Sequence, residues 1–236
     1  MQKENFLSLF ICSFVFLVAS YFSGQFPVFY LAAFLLIPAF AAFHFFGRAP
    51  ALTFLVFSIV YLLLFSVQHI STLYLHMGFL SFSLYFLWPQ RKPLIEGCGP
   101  PLTRIGWGAA IFLSMLAVSF IVNILMYFTG YADQAQILDV VSGLPLYLLV
   151  MAFTLGPLSE ELFFRAFLVP RAGVLASALL FMFTHVAYGS ASELAGALAL
   201  GLVLGIAYKY LKDPVPCIVA HFLFNLLSVI MILWVY

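Results

Sequence analysis

Two adjacent carboxylates and an arginine, Glu160, Glu161 and Arg165, stand inside an apolar stretch of the chain. A charged side chain in hydrocarbon costs about 2.5 to 3.5 kcal/mol even on lenient insertion scales, so ionisable residues there indicate function. Glu161 and Arg165 are four residues apart, which places them on one helix face within pairing distance. Glu160 points about 100° away from Glu161 and is not obviously neutralised by that arginine. A carboxylate left over in this way is what a general base requires.

Two further apolar stretches each contain a histidine. His185 follows Phe181 by four residues, and Asn225 follows His221 by the same spacing. A lone histidine in an apolar helix is more often a hydrogen-bonded packing residue. His221 and Asn225, however, share one helix face and present two polar groups to the same neighbour. Three apolar stretches therefore each bring polar side chains inward.

The elements that must position these residues are membrane-spanning helices. Of the 236 residues, 66% are hydrophobic and only 7% are charged, against roughly 25% charged in soluble domains. Apolar runs of the length of a bilayer crossing follow one another with short polar breaks. We predict an all-α polytopic membrane helix bundle of about eight or nine transmembrane helices. Nine spans can be assigned, but the boundary between the third and fourth, within 51–88, is weakly marked, so eight or ten remain possible. The predicted spans lie near 6–23, 27–46, 51–67, 71–88, 107–129, 144–169, 173–189, 193–210 and 215–235.

The chain is predicted to have two parts, divided by the polar break from Pro89 to Gly106. Variable transmembrane helices occupy 1–106, and a catalytic helix bundle occupies 107–236, with the motif core at about 142–236. Lysine and arginine collect in alternate loops, which predicts a cytoplasmic N-terminus. The net charge of +1 gives no reason to expect nucleic acid, and the three cysteines are too far apart to indicate a disulfide framework or a thiolate metal site.

The depths of the polar residues allow them to meet. At about 1.5 Å rise per residue, Glu160 and Asn225 lie roughly 15 Å from the cytoplasmic turns, His185 about 20 Å and His221 roughly 9 Å. We therefore expect a site in the cytoplasmic half of the bilayer. The sixth and seventh spans are joined by a short turn, so Glu160 is expected to face His185.

Two backbone features favour a site at this place. Pro157 removes a backbone hydrogen bond three residues before Glu160 and is expected to open the helix to water. The eighth span contains Gly196, Gly201 and Gly205, including a pair at the spacing that allows helices to pack closely.

Taken together, the three motifs resemble the CAAX prenyl endopeptidase and bacteriocin-processing (CPBP) family of intramembrane proteases. The signature of that family is Glu-Glu-x-x-x-Arg, Phe-x-x-x-His and His-x-x-x-Asn on successive helices. All three occur here in order, as Glu160-Glu161 with Arg165, Phe181 with His185, and His221 with Asn225. The resemblance covers roughly residues 142 to 236, and three motifs in order on three spans form a strong signal.

The resemblance implies an intramembrane endopeptidase of the glutamic type. Glu160 and His185 would activate a water molecule for attack on a peptide carbonyl, while His221 and Asn225 would hold the oxyanion. The implied substrate is a membrane-associated or lipid-modified protein or peptide within the lipid bilayer. Polarised donors aimed at a developing oxyanion typically contribute a few kcal/mol, which agrees with these residue types.

Glu161, Arg165 and Phe181 would then support and orient the catalytic residues. The resemblance implies a site with no metal and no cofactor. Zinc on Glu160 and the two histidines stays as an alternative, because that set is an ordinary zinc site, although no His-Glu-x-x-His stands on one helix. Two non-protease alternatives also stay open: a membrane scaffold or immunity protein of the same fold, and a small proton-coupled transporter.

Overall fold

The computed structural model describes residues 70–90 and 96–235 of the chain. The chain divides into two compact units, Met1–Phe82 and Ser83–Tyr236. The predicted spans near 6–23, 27–46 and 51–67 lie outside the described residues. All of the residues singled out above for chemistry lie in the second unit.

The described residues form helices and turns, with no strand among them, which confirms the all-α prediction for this part of the chain. One segment is a π-helix, and short 3-10 turns follow α1 and α7. The elements are α1 (Ile70–Leu87), α2 (Pro101–Thr129), α3 (Gln134–Ser142), α4 (Leu146–Phe153), α5 (Leu155–Glu160), the π-helical segment (Glu161–Leu168), α6 (Val169–Ala172), α7 (Val174–Phe183), α8 (Ala191–Leu211) and α9 (Pro214–Val235).

Three of these helices are long and apolar enough to cross a membrane: Pro101–Thr129, Ala191–Leu211 and Pro214–Trp234. A fourth crossing results if α4 and the stretch Leu155–Ala172, which are bent by 42° relative to each other, form one span. Residues 70–90 and 96–235 thus hold three or four candidate crossings. The predicted total of eight or nine is not confirmed.

Helix α2 begins at Pro101 rather than near residue 107, because its polar first turns are held by a buried carboxylate. Asp213, in the turn between α8 and α9, is fully buried and accepts hydrogen bonds from Arg104 Nε and Nη2, both at 2.7 Å. The backbone N–H groups of Cys98 (2.9 Å) and Val215 (3.0 Å) donate to the same carboxylate. A buried charge is tolerated when it is paired and hydrogen-bonded in this way. The α8–α9 turn is thereby fastened to the start of α2.

Close helix packing surrounds the π-helical segment, which contacts α7, α8 and α9. Where α8 crosses α7, a Cβ atom on Gly201 would lie 3.2 Å from Phe181 Cδ1, and one on Gly205 would lie 2.9 Å from Val174 Cγ1. A Cβ atom on Gly196 would meet no described atom within 4 Å. The prediction of close packing is confirmed for Gly201 and Gly205, while Gly196 has no such role.

Candidate active site

The predicted sixth span is broken just before the two carboxylates. Helix α4 ends at Phe153 and α5 begins at Leu155, with Thr154 between them at φ −111° and ψ −80°. Pro157 has no N–H to donate to the Phe153 carbonyl, and its ring crowds that carbonyl, so the helix breaks on the N-terminal side of the proline. Glu160 ends α5. The bend therefore sets the direction in which the carboxylates point.

The chain after Glu160 is wound as a π-helix over Glu161–Leu168. Such i→i+5 segments are rare and occur frequently at functional sites. Ser177 Oγ, from the buried face of α7, donates to the Phe164 carbonyl oxygen at 2.7 Å. This bond satisfies a buried backbone acceptor and holds the widened helix against α7.

Glu161 and Arg165 form a fully buried ion pair, as their spacing predicts. Arg165 Nε lies 3.1 Å from Glu161 Oε2, and both side chains are 0% exposed. The guanidinium carbon also stands 4.5 Å from the centre of the Phe181 ring, within cation–π range. The other oxygen of Glu161 lies 2.8 Å from Nδ1 of His221. One carboxylate therefore joins the arginine to a histidine on a different helix.

His221 stands between the two carboxylates. Because the Glu161 carboxylate paired with Arg165 accepts, Nδ1 of His221 carries the proton of the bond between them. Nε2 on the far side of the ring lies 3.8 Å from Glu160 Oε2. The result is a continuous line of ionisable side chains from Arg165 through Glu161 and His221 to Glu160.

His185 lies just beyond the end of α7, not inside a span over 173–189 as predicted. The helix ends at Phe183, and His185 Nδ1 is 2.9 Å from the Phe181 carbonyl oxygen. Thr184 Oγ1 donates to the same carbonyl at 2.6 Å. Side chains that bond local backbone carbonyls compete with helix continuation, which explains the early end.

Phe181 is the packing centre of the site. Its ring is 4.7 Å from that of His185 and meets the ring of His221 edge-on at 5.9 Å. It also carries the cation–π contact with Arg165. The aromatic residue of the second motif therefore holds polar residues from three segments in place.

Glu160 and His185 each have a cross-helix ion-pair partner in the structure. The sequence predicts that these two residues face each other, and that pairing stays a prediction. The ion-pair distances that the structure gives are 3.8 Å from Glu160 to His221 and 3.9 Å from His185 Nε2 to Glu193 Oε1. The sequence analysis assigned no role to Glu193. The signal that could have found it is Ser190-x-x-Glu193, the pattern of a helix start, eight residues after His185.

Asn225 lies one turn beyond His221 on α9, and its side-chain amide already makes one hydrogen bond. Its Nδ2 donates to the Ala152 carbonyl oxygen at 2.9 Å. Ala152 belongs to the last turn of α4, where carbonyl groups lose their helical partners. An amide nitrogen has two hydrogens, so the second one stays available to another acceptor.

The exposed fraction of the side chains rises steadily from Arg165 at one end of the site to Glu193 at the other. The side chains of Arg165 and Glu161 are 0% exposed, those of His221 and Glu160 are 6% and 12% exposed, and those of His185 and Glu193 are 18% and 28% exposed. The arginine end is therefore closed to solvent, and the accessible side of the cluster is that of His185 and Glu193.

The described part of the chain contains no group of three His, Cys, Asp or Glu side chains that could hold a metal ion. The absence of a cofactor stays a prediction, as does the alternative of zinc.

Comparison with known proteins gives one match. Residues 142–227 match the family model described as Rce1-like, type II CAAX prenyl endopeptidase. No curated protein and no solved structure matches the chain. The matched segment begins before the bend at Thr154 and ends after Asn225, so it contains all three motifs.

The family is one of membrane-embedded proteases. Together with the long apolar helices, the match identifies an integral membrane protein with a CAAX-protease-like domain. Residues 142–227 thus form a domain similar to the Rce1-like type II CAAX prenyl endopeptidases.

Proposed function

We propose that the protein is a glutamic-type intramembrane endopeptidase that hydrolyses a peptide bond in a membrane-associated or lipid-modified polypeptide. The observation that carries the proposal is the line of ionisable side chains from Arg165 through Glu161 and His221 to Glu160, built in apolar helices. Such a buried arrangement is costly to keep unless it has a use. The sealed arginine end and the accessible opposite end further support a site that admits a ligand.

Glu160 is proposed as the general base. Its carboxylate accepts a proton from a water molecule, and the hydroxide oxygen forms a bond to the peptide carbonyl carbon. His185 orients that water: its Nδ1–H donates to the Phe181 carbonyl, so Nε2 keeps a lone pair that accepts a hydrogen bond. The water would therefore lie near both side chains, at the more exposed end of the cluster.

The oxyanion is proposed to be held by His221 and Asn225. As an imidazolium, His221 donates from Nδ1 to Glu161 and has a second N–H, at Nε2, directed toward Glu160. When Glu160 takes the proton from water, its negative charge disappears and one appears on the carbonyl oxygen. The Nε2–H group can then donate to the oxyanion instead of interacting with Glu160, with the second N–H of Asn225 as another donor.

Collapse of the tetrahedral intermediate completes the reaction. Glu160 returns its proton to the leaving nitrogen as the C–N bond breaks, which gives a carboxylic acid and an amine and restores the carboxylate. Glu161 and Arg165 keep their charges throughout, and they stabilise the imidazolium of His221 and fix its orientation. No serine or cysteine nucleophile takes part in this scheme.

The proposed site opens toward the cytoplasmic half of the bilayer, with the N-terminus in the cytoplasm. The distribution of basic residues supports this orientation, since Arg171 follows the π-helical segment and Lys209 and Lys212 flank the α8–α9 turn. A substrate of matching chemistry is a polypeptide whose scissile bond is held near the membrane surface by a lipid or an apolar anchor.

The test is cleavage of a panel of membrane-tethered peptides by the purified protein in detergent. Glu160→Gln keeps the size of the side chain and removes the base, so we expect activity to fall by about 10²- to 10⁴-fold. Asp139→Asn makes the same chemical change at an exposed position of α3 and is expected to cleave like the wild type.

Each outcome separates the candidate mechanisms. Cleavage that persists in Glu160→Gln would overturn the role of this glutamate. Loss of wild-type activity on adding a chelator, restored by zinc, would replace the proposed mechanism with a zinc-dependent one. A wild type that cuts no peptide of the panel would favour the scaffold or transporter alternatives.

A further inference from the structure

We propose that Glu193 is an additional acidic residue of this site, which positions His185 and stabilises its protonated form. The inference rests on the proposed function. It begins with the two ring nitrogens of His185. Nδ1 lies 2.9 Å from the Phe181 carbonyl oxygen, which can only accept, so this nitrogen carries a proton. Nε2 on the opposite edge is directed to Glu193 Oε1 at 3.9 Å.

The distance indicates the kind of contact. At 3.9 Å the two groups are too far apart for a direct hydrogen bond, but they are within range of an ion pair or of a single bridging water. Both side chains are partly exposed, so water reaches them. This is the edge of the site at which the proposed mechanism places the attacking water.

A helix-capping role does not account for Glu193. In a capping box, the glutamate at this position reaches back to the backbone N–H of the N-cap residue. Here Ser190 Oγ accepts from the Glu193 backbone N–H at 3.0 Å, which is half of that motif. The carboxylate, by contrast, is directed to His185, the one ion-pair partner that the described residues provide for it.

The first turn of α8 is instead capped by Asp133, from the loop before α3. Its carboxylate accepts hydrogen bonds from Ser190 Oγ (2.7 Å), Ala191 N (2.6 Å) and Ser192 N (3.0 Å). These bonds satisfy the free N–H groups of the helix start and supply the negative charge that a helix N-terminus favours. The carboxylate of Glu193 is therefore not needed to cap the helix.

The charges that surround His185 call for an anion. Burial disfavours a positive charge on the His185 ring, and Arg165 in the π-helical segment and a protonated His221 on α9 disfavour it further. The Tyr188 ring is stacked at 6.0 Å and is neutral at ordinary pH. An ionised Glu193 would supply a negative charge at the Nε2 edge of the His185 ring. With it, His185 can draw a proton toward Nε2 without leaving an uncompensated charge.

The direct test is the titration of His185 in the full-length protein in detergent. The ring ¹³Cε1 signal is followed by NMR against pH and is assigned by its loss in His185→Gln. Glu193→Gln removes the charge at nearly constant size, so we expect His185 to release its proton at a pH lower by at least about half a unit. Glu193→Asp keeps the charge and is expected to restore most of the shift.

Activity gives a second readout, on whichever tethered peptide the panel shows to be cut. Glu193→Gln is expected to lower kcat by about 10- to 100-fold with KM nearly unchanged, because the water loses its orientation. The acid limb of the pH profile should move in the direction of the NMR titration. Ser190→Ala serves as the structural control: it removes an α8 cap and lowers the melting temperature, but leaves the titration of His185 where it is.

The results separate this inference from the proposed function. An unmoved His185 titration in Glu193→Gln would overturn the inference, even if Glu160→Gln abolishes cleavage. Equal melting-temperature losses in Glu193→Gln and Ser190→Ala, without any change in titration, would assign Glu193 a purely structural role. If Glu160→Gln cuts like the wild type while the titration shifts, the proposed function fails and the pairing of Glu193 with His185 stands.

Discussion

The buried pair of Glu161 and Arg165 provides the sharpest prediction about this protein. Glu161→Gln would leave the guanidinium of Arg165 fully buried without its counter-ion, beside the rings of Phe181 (4.5 Å) and Phe164 (5.9 Å). Arg165→Met would leave Glu161 buried beside His221 in the same way. Both changes keep the volume of the side chain nearly constant, so the effect isolates the charge.

The expected magnitude follows from complete burial. Removing one partner of a buried ion pair costs about 3 to 5 kcal/mol, because the other charge is left uncompensated. For a chain of this size, each kcal/mol lowers the melting temperature by roughly 2 to 4 °C, so each single variant should melt roughly 6 to 20 °C lower. The double variant Glu161→Gln with Arg165→Met contains neither charge and should recover much of that loss.

Stability and activity are expected to separate in the double variant. His221 would retain a hydrogen-bond acceptor in the glutamine but lose the negative charge that stabilises its imidazolium. Thermal unfolding in detergent measures the first quantity, and cleavage of a tethered peptide measures the second. A stable but inactive double variant would agree with the proposed role of Glu161.

The opposite pattern would refute this reasoning. If the two single changes simply add in the double variant, then the pair is not energetically coupled. If neither single change lowers the melting temperature, the two side chains are not buried together as the structure has them.

Two further predictions concern the frame around the site. Gly205→Ala would press a methyl group against Val174 Cγ1, which lies 2.9 Å from the Cβ position, and should destabilise the protein by about 1 to 3 kcal/mol in thermal unfolding. Gly196→Ala has no described atom within 4 Å of its Cβ position and should instead stabilise the protein by up to about 1 kcal/mol. A Gly205→Ala variant that unfolds at the wild-type temperature would contradict the close packing of α7 and α8. Burial would raise the pKa of Asp133, but hydrogen bonds from Ser190 and from the start of α8 outweigh it and lower the pKa below the ordinary 3.8. Because the pKa of Asp133 is lower in the folded than in the unfolded protein, the stability that this residue contributes is present above pH 3.8 and is lost as the pH falls further. The melting temperature of Asp133→Asn should therefore depend less on pH in that acid range than that of the wild type.

Local spacing predicted the contacts that lie within one helix. Glu161 and Arg165 pair because residues four apart share a helix face, and this holds even though the segment is wound as a π-helix. In the same way, His221 and Asn225 stand one turn apart on α9. The apolar composition and the motif order were sufficient to indicate a membrane protein of this protease family.

Contacts between different helices could not be predicted from local spacing. Glu161 was expected only to support the catalytic helix, whereas the structure gives it a direct bond of 2.8 Å to His221. The bend at Thr154 and the early end of α7 interrupt the straight spans on which the carboxylates and His185 were predicted to lie. A count of residues from the ends of straight helices cannot include either effect.

What the sequence by itself determined is therefore the membrane setting, the reactive residue types and their partners one helical turn away, since helix geometry fixes these within a few residues. The tertiary structure decided which carboxylate faces which histidine, and it brought in Glu193. Those pairings depend on how neighbouring helices are rotated and how closely they approach. Both are set by residues distant in sequence from the motifs, such as Asp133 at the start of α8 and Gly205 against α7.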